Sequence, residues 1–242
     1  MSAKKGFVFP GSDPTLAAKI AALNVGWYYT WNATIPTGIN VPFVPMVWSA
    51  KTVPSAVGLG IETPGVEPVL LCFNEPDRSD QSNMTVDSVI SYWPILAQTG
   101  RRLGSPATAS SALNGVWFTD FMTRVAEIGA RVDFIAIHWY ASPNVSGFLS
   151  MLDNLYAKYK LPIWITEFAV ADWKATSASR FTVDDVATFM RAVLPELDKR
   201  PYIERYAWKT RKMSDVNMGT SALFNDDGSL TSIGNIYASH TA

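Results

Sequence analysis

The stretch that decides the fold class of this 242-residue chain is Phe134-Ile135-Ala136-Ile137-His138-Trp139-Tyr140. Its first four residues form an unbroken apolar run, which is typical of a parallel strand buried on both faces. Amphipathic stretches flank it, at residues 116–128 before the run and 146–159 after it. A buried strand between two helices predicts a βαβ arrangement, and therefore a parallel sheet covered by helices.

The same alternation of short apolar runs and helical stretches recurs about eight times along the chain. The predicted strands are residues 6–9, 25–31, 43–48, 69–74, 102–107, 134–140, 163–168 and 205–210. The predicted helices are residues 14–23, 85–98, 116–128, 146–159, 183–197 and 232–239. No linker or change in composition divides the chain. We therefore expect an α/β fold, a compact (β/α)8 TIM barrel that forms one domain over residues 1–242.

Local signals set the expected helix boundaries. Asp13 is expected to cap a first helix that begins at Pro14. Pro94 and Pro195 are expected to kink or end the helices that contain them. Residues 32–41 and 49–67, after the second and third strands, are rich in Pro, Gly and Thr. The second helix could therefore be reduced to a turn.

Composition argues against several classes of function. The net charge is −1, and no run of Lys or Arg exceeds a pair, so a nucleic-acid surface is not expected. No stretch of eighteen apolar residues predicts a membrane span. The histidines are His138 and His240, too few for a metal site, and no Gly-rich phosphate loop follows the first strand. We expect a monomer without cofactor or metal, and the single Cys72 allows no internal disulfide.

The ends of the predicted strands carry carboxylates and aromatic rings. In a closed barrel the reacting groups lie at these ends, and strands four and seven lie across the barrel mouth from each other. Glu75 and Glu167 follow those two strands. Cleavage of a glycosidic bond needs an acid on the leaving oxygen and a second carboxylate opposite it. The two glutamates are therefore the candidate catalytic pair, although the sequence does not give the separation that distinguishes retention from inversion.

Aromatic and polar residues near the two glutamates are the candidate sugar contacts. Trp31, Trp48 and Trp208 each end a strand and are candidate stacking platforms, with core packing as the competing interpretation. His138 and Tyr140 share one strand parity, so both can point inward. Structural roles in packing or turns compete for His138, for Tyr140 and for the remaining candidate, Asn74.

Two motifs resemble a known family. Phe73-Asn74-Glu75-Pro76 resembles the Asn-Glu-Pro acid/base motif of clan A glycoside hydrolases, and Trp164-Ile165-Thr166-Glu167-Phe168, 92 residues later, resembles their nucleophile strand. With Trp27-Tyr28-Tyr29-Thr30-Trp31, the stretch at 134–140 and Tyr206-Ala207-Trp208, the pattern is similar to glycoside hydrolase family 128. That family comprises compact-barrel β-1,3-glucanases, many of them fungal.

The resemblance implies an endo-β-1,3-glucanase type of activity, with an exo mode left open. Glu75 would be the general acid/base and Glu167 the nucleophile of a retaining double displacement. Asn74 would hydrogen-bond the sugar 2-hydroxyl, Tyr140 would steady the nucleophile, and His138 would belong to the polar floor. The substrate-binding set would then be Asn74, Trp31, Trp48, His138, Tyr140, Trp208 and Tyr29.

Secretion to the extracellular space or cell wall is expected, although Met1-Ser2-Ala3-Lys4-Lys5 does not read as a signal peptide. Sequons at Asn32, Asn83 and Asn144 support secretion only weakly, because chance alone would produce about two.

Other interpretations stay open. The chain could be a catalytically silent carbohydrate-binding barrel, or a clan A glycosidase that acts on β-mannan, cellulose or chitin. Strand eight departs from the family pattern, because Lys209-Thr210-Arg211 follows Trp208 where an aromatic or small residue is expected. A barrel lysine can form a Schiff base, as in an aldolase. Arg205, Arg211 and Lys212 suggest instead that Lys209 belongs to a solvated basic cluster.

Overall fold

The computed structural model describes residues 2–241, in which eight strands alternate with helices. The strands are β1 (Lys5–Val8), β2 (Trp27–Tyr29), β3 (Met46–Val47), β4 (Val69–Cys72), β5 (Arg102–Leu103), β6 (Ile135–Ala141), β7 (Ile163–Val170) and β8 (Ile203–Lys209). The helices are α1 (Leu16–Leu23), α2 (Val53–Val57), α3 (Val86–Ala97), α4 (Val116–Glu127), α5 (Val145–Tyr159), α6 (Val183–Lys199) and α7 (Ser232–Ser239). Short 3-10 helices cover Ala50–Thr52 and Gly219–Ser221.

All strand pairs run parallel and surround one axis. Continuous ladders join the strands in the orders β2-β1-β8-β7-β6 and β3-β4-β5. Single parallel bridges join these two sheets at both seams, between Tyr28 and Phe43 and between Gly104 and Phe134. The prediction of a compact (β/α)8 barrel is therefore confirmed.

The core has an inner layer and an outer layer. Twelve buried residues drawn from around the ring fill the barrel interior: Val8, Trp27, Tyr29, Val44, Met46, Val69, Leu71, Ala107, Phe134, Ala136, Trp164 and Ala207. Two larger clusters pack the outer faces of the strands against the helices. Neighbours in sequence therefore face opposite layers, since Trp27 and Tyr29 point inward while Tyr28 packs outward.

Large side chains close the end of the barrel where the strands begin. A Cβ atom at Gly6 would lie 2.2 Å from the indole of Trp27, so only glycine leaves room for that ring. The guanidinium of Arg205 lies over the rings of Trp27 and Trp164 and pairs with Glu67 at 3.2 Å. This end of the barrel is packed and carries no open cleft among these residues.

Several helix boundaries differ from the sequence-based expectation. Helix α1 begins at Leu16, and Asp13 does not cap it; its carboxylate accepts hydrogen bonds from the backbone and hydroxyl of Thr15 instead. Pro94 and Pro195 do not end their helices, which continue to Ala97 and Lys199. Both prolines are exposed, and buried residues before and after each one keep the helix packed.

The connection between β2 and β3 contains no helix in the described chain, and the segment after β3 forms only the 3-10 turn at Ala50–Thr52 and the short α2. The expected reduction of the second helix to a turn is therefore observed. No helix in residues 2–241 combines the length and hydropathy that a bilayer crossing requires.

Candidate active site

A cavity of about 590 Å³ lies at the end of the barrel where the strands finish. Its lining includes seven of the residues predicted from sequence: Trp31, Trp48, Asn74, Glu75, His138, Tyr140 and Glu167. The remaining two, Tyr29 and Trp208, are fully buried beneath or beside it. Strand ends far apart in sequence therefore converge on one concave surface.

The turn after β4 brings Asn74 and Glu75 to the cavity in an unusual backbone conformation. Phe73 and Glu75 both have left-handed φ values, of 57° and 42°, which non-glycine residues rarely adopt. The amide of Glu75 donates to the carbonyl of Ala107, and that of Asn74 to the carbonyl of Trp48. Neighbouring strands thus hold a strained turn in place, which is characteristic of functional sites.

Asn74 has an unused acceptor at the cavity. Its Nδ2 donates to Oε1 of Gln81 at 3.1 Å, which fixes the orientation of the amide. Its Oδ1 is buried and has no hydrogen-bond partner among the described residues. Because such an atom is costly to leave unpaired, it is suited to accept a hydrogen bond from a ligand hydroxyl.

A β-bulge in β7 turns Glu167 toward the cavity. Trp164 faces the barrel interior and Ile165 faces the helices, so strict alternation would turn Glu167 outward. The register with both neighbouring strands shifts between Ile165 and Phe168, and His138 pairs with Glu167. The extra residue, Thr166, restores Phe168 to the outer layer and leaves Glu167 on the inner one.

Four side chains surround the carboxylate of Glu167, which is only 7% exposed. Its Oε1 accepts from the hydroxyl of Tyr29 at 3.1 Å and from Nε1 of Trp31 at 2.7 Å. Its Oε2 accepts from the hydroxyl of Tyr140. Nε2 of His138 lies 3.4 Å from Oε1. The hydrogen bonds from Tyr29, Trp31 and Tyr140 fix both carboxylate oxygens, whereas Nε2 of His138 is near enough for charge attraction but makes no hydrogen bond among the described residues.

The same surroundings keep Glu167 ionised. Burial alone would raise the pKa of Glu167, but the positive charges of His138 and Lys209, and the hydrogen bonds from Tyr140 and Trp31, lower it to about 2. A carboxylate that holds its charge at all ordinary pH values can act as a nucleophile without prior loss of a proton.

His138 connects the two glutamates. Its Nδ1 lies 2.8 Å from Oε1 of Glu75, and its Nε2 faces Glu167, so one imidazole ring bridges them. Burial alone would lower the pKa of His138, but the charge of Glu167 and the hydrogen bond and charge of Glu75 raise it above 6.5. The side chain is 2% exposed, so this proton is shielded from solvent.

Two of the predicted aromatic contacts lie outside the cavity lining. Trp208 faces the helices, and its Nε1 donates to the carbonyl of Ser221, because alternation along β8 directs Ala207 and Lys209 inward instead. Tyr29 lies beneath Glu167 and also donates toward the Thr166 carbonyl. Neither side chain presents a free face to a sugar, so their assignment as sugar contacts is not supported.

Trp31 lines the cavity, but a cation covers its ring. Nζ of Lys209 lies 3.7 Å from the ring centroid, so that face is not free for stacking. Trp48 lines the cavity and stays a candidate platform. The proposed solvated basic cluster is wrong, since Arg205 lies at the opposite end of the barrel and Lys209 is largely buried on Trp31.

Sequence reasoning missed Trp173, which lines the cavity and is 59% exposed. It lies in the loop after β7, where its Nε1 donates to the carbonyl of Tyr140 and its ring meets that of Tyr140 edge-on. Paired hydrogen bonds from Arg180 to Asp172 hold the loop. Its position just beyond β7, the strand that carries Glu167, was the available signal.

The described residues contain no group of three or more His, Cys, Asp or Glu side chains placed to hold a metal ion.

Comparison with known proteins agrees with this architecture. A family model described as "Glycosyl hydrolase catalytic core" matches residues 6–237. A GH128 (subgroup I) endo-β-1,3-glucanase mutant from Amycolatopsis mediterranei, solved in complex with laminaripentaose, has a TM-score of 0.84 and 31% identity, over 99% of this chain and 100% of that chain. A GH128 (subgroup V) exo-β-1,3-glucanase from Cryptococcus neoformans has a TM-score of 0.80 and 25% identity, over 97% and 98% respectively.

A curated relative is much longer. Alkali-sensitive linkage protein 1 of Schizosaccharomyces pombe is 29% identical over 99% of this chain, which spans only 45% of that protein.

Two carboxylates that face one cavity at the mouth of a (β/α)8 barrel are the arrangement that glycoside hydrolysis requires, and the family model places the chain in the class of glycoside hydrolases. Within that class, the family match and the likeness over the full chain show that the protein belongs to glycoside hydrolase family 128. The resemblance inferred from the two motifs is confirmed.

Proposed function

We propose that the protein cleaves internal bonds of β-1,3-glucan with retention of configuration. Glu75 is the general acid/base and Glu167 is the nucleophile. The observation that carries the proposal is the single imidazole of His138, which contacts one glutamate through Nδ1 and faces the other through Nε2. Endo-β-1,3-glucanases with laminari-oligosaccharides bound are among the similar structures, which supports the choice of substrate and internal cleavage.

The first half of the reaction forms a glycosyl-enzyme. Glu167 attacks the anomeric carbon while Glu75 gives its proton to the departing glycosidic oxygen. Burial would raise the pKa of Glu167, but its cationic neighbours lower it to about 2, and this supports its role as the attacking carboxylate. The contact between Glu75 and His138 supplies a second site for the transferred proton when Glu75 is charged.

The second half releases the sugar. Glu75 takes a proton from water, the water oxygen attacks the anomeric carbon, and Glu167 leaves as a carboxylate. The unused Oδ1 of Asn74 supports its role as acceptor for the sugar 2-hydroxyl. Trp48 and Trp173 form walls on which glucose rings can stack.

The test is digestion of a panel of polysaccharides: laminarin, β-mannan, cellulose and chitin. Wild type is compared with Glu167→Ala and Glu75→Gln, and with Glu127→Gln as a control, because Glu127 is exposed at the end of α4. We expect wild type and the control to cut laminarin into a range of oligosaccharides. Full activity in either active-site variant would remove that residue from the mechanism.

Proton NMR of the first product tests the stereochemistry. Retention gives the β-anomer first, whereas early α-anomer would show inversion and exclude Glu167 as a nucleophile. Binding of laminarin without any cleavage would favour the silent carbohydrate-binding barrel.

We also propose that the protein acts outside the cell as a monomer. Asn32, Asn83 and Asn144 are all exposed, as glycosylation requires, which supports passage through a secretory route. Expression in a eukaryotic host followed by glycosidase treatment tests the sequons, and light scattering after size exclusion tests the monomer.

A further inference from the structure

Lys209 places a cation beside the proposed nucleophile. It is the last residue of β8, and alternation along that strand turns it toward the barrel axis. Its Nζ lies 3.7 Å from the centre of the Trp31 ring, and the indole Nε1 of Trp31 lies 2.7 Å from Oε1 of Glu167. Lys209, Trp31 and Glu167 therefore form one continuous arrangement on the wall of the cavity.

Among the described residues, the ammonium of Lys209 is held by an aromatic ring rather than by a carboxylate. Within residues 2–241, Nζ makes neither a hydrogen bond nor an ion pair, and the contact with Trp31 holds it in position. The charged groups that face it are Glu167, Arg211, Glu75 and His138. Because the side chain is largely buried, the field of its charge on Glu167 is weakly screened by water.

A fixed cation affects the two halves of a double displacement differently. In the free enzyme Glu167 is an anion, which the cation stabilises. In the glycosyl-enzyme the same oxygen forms a neutral ester with the anomeric carbon, and the attraction is largely lost. When water attacks that carbon, the ester bond breaks, its electron pair returns to Glu167, and the proton of water passes to Glu75. The cation stabilises the charge that reappears.

We propose that Lys209 is a positioning residue whose charge favours the departure of Glu167 in the second half-reaction. It thereby prevents the glycosyl-enzyme from accumulating, and it occupies the Trp31 face that would otherwise bind sugar. The inference rests on the proposed function, since it needs Glu167 to be the nucleophile.

The test measures the second half-reaction alone. A 2-deoxy-2-fluoro laminaribiosyl fluoride is used to load the enzyme, intact mass follows the adduct, and excess reagent is removed. The rate at which activity returns then reports release of the sugar. We expect Lys209→Met, which keeps the aliphatic stem on Trp31 but removes the charge, to slow this return about tenfold.

Matched variants separate charge from packing. Lys209→Arg retains the cation and should restore most of the wild-type rate, whereas Lys209→Gln, a second neutral variant, should resemble Lys209→Met. Lys212→Met is the control, because Lys212 is an exposed lysine three residues further along the same segment. Thermal melting of every variant verifies folding.

The outcomes distinguish the two claims. An adduct on Glu167 that decays equally fast in wild type, Lys209→Met and Lys209→Gln would overturn the role of Lys209 and leave the proposed function intact. No adduct on Glu167 in wild type would overturn the proposed function and this inference with it. A slow return of activity in Lys209→Arg would show that the shape of lysine, rather than its charge, sets the rate of sugar release.

Discussion

At the scale of single residues, the surroundings of Glu167 come from across the barrel. Tyr29 and Trp31 approach from the β2 side, Tyr140 from β6 and Lys209 from β8. Each either donates a hydrogen bond or carries positive charge, and together they outweigh the cost of burying an anion. The carboxylate is consequently held in one orientation and one charge state before any ligand arrives.

Removing one of these donors should reduce the rate rather than the affinity. We expect Tyr140→Phe to lower kcat on laminarin about 10- to 100-fold, because a hydrogen bond to a buried charge is worth about 1.5–3 kcal/mol. The KM should change little. Steady-state kinetics check this, with Tyr156→Phe on α5 as a control that should match wild type. An unchanged kcat in Tyr140→Phe would contradict its role in orienting Glu167.

The lowered pKa of Glu167 should also make stability depend on pH. Burial opposes the shift, but His138, Lys209 and the donated hydrogen bonds lower the pKa from 4.5 to about 2 on folding. Between pH 2 and pH 4.5, Glu167 binds more protons in the unfolded chain than in the folded one. Its contribution to stability therefore grows as pH rises and is lost as pH falls.

Urea unfolding at several pH values measures this contribution. We expect the free energy of unfolding of wild type, relative to Glu167→Gln, to rise between pH 2 and pH 4.5 and then to level off. A wild-type advantage that shrinks with rising pH would show that the surroundings of Glu167 do not stabilise its charged form.

Sequence reasoning located the residues of the site better than their orientations. Strand ends identified Glu75, Glu167, Asn74 and His138, because a closed barrel gathers those ends on one face. The direction of a side chain depends on local register, which composition does not reveal. Side chains alternate along β8, and Ala207 faces the barrel interior, so Lys209 also faces inward and Trp208 faces the helices. This alternation would have identified Lys209, rather than Trp208, as the residue that lines the cavity.

At the scale of secondary-structure elements, loops between strands and helices decide what the cavity can hold. The loop after β7 carries Trp173, and the Asp172–Arg180 contact anchors it. A large exposed ring that a hydrogen bond holds in place is prepared for stacking. The fixed orientation of the Trp173 ring cannot be predicted from the sequence of the loop alone, because it depends on the carbonyl of Tyr140 in another strand.

Trp173→Ala should weaken binding of long glucans. We expect the Kd of the Glu75→Gln variant for laminarihexaose to rise about tenfold when Trp173→Ala is added, through loss of the buried contact area. Calorimetry measures it. Val116→Ala, at an exposed site on α4, is the control. Equal affinities with and without Trp173 would show that the ring does not contact the ligand.

At the scale of the whole molecule, eight strands close into a ring around an interior that their side chains fill. The ring of strands was predictable, because eight apolar runs recur with helices between them. The lengths of the strand ladders could not be predicted from the sequence. Strands β3 and β5 extend over only two residues each, and single bridges join their sheet to the larger one. The interior packing depends on matched sizes at distant positions, such as Gly6 beneath Trp27.

Gly6→Ala should therefore destabilise the whole barrel. The added methyl would lie 2.2 Å from a buried indole ring that packs against Trp164 and Arg205, and overpacking of this kind costs about 1–3 kcal/mol. Chemical unfolding monitored by tryptophan fluorescence measures the loss. Gly60→Ala should be tolerated, since the nearest atom to its Cβ would be 3.6 Å away. Equal stability of the two variants would mean that the interior can readily rearrange around Trp27.

The extra residue in β7 carries a consequence for how this chain could change over time. Losing one codon at Thr166 would remove the bulge and leave a regular strand in which Glu167 still faces the cavity and Phe168 still faces the helices, because Ile165 before them already faces the helices. The hydrogen bonds that Thr166 makes with Tyr29 and Ile137 would be lost, so the change would affect how firmly the carboxylate is held rather than the direction in which it points. For descendants of such a chain, a gap of one residue just before the glutamate is therefore compatible with two acidic side chains that still face one cleft.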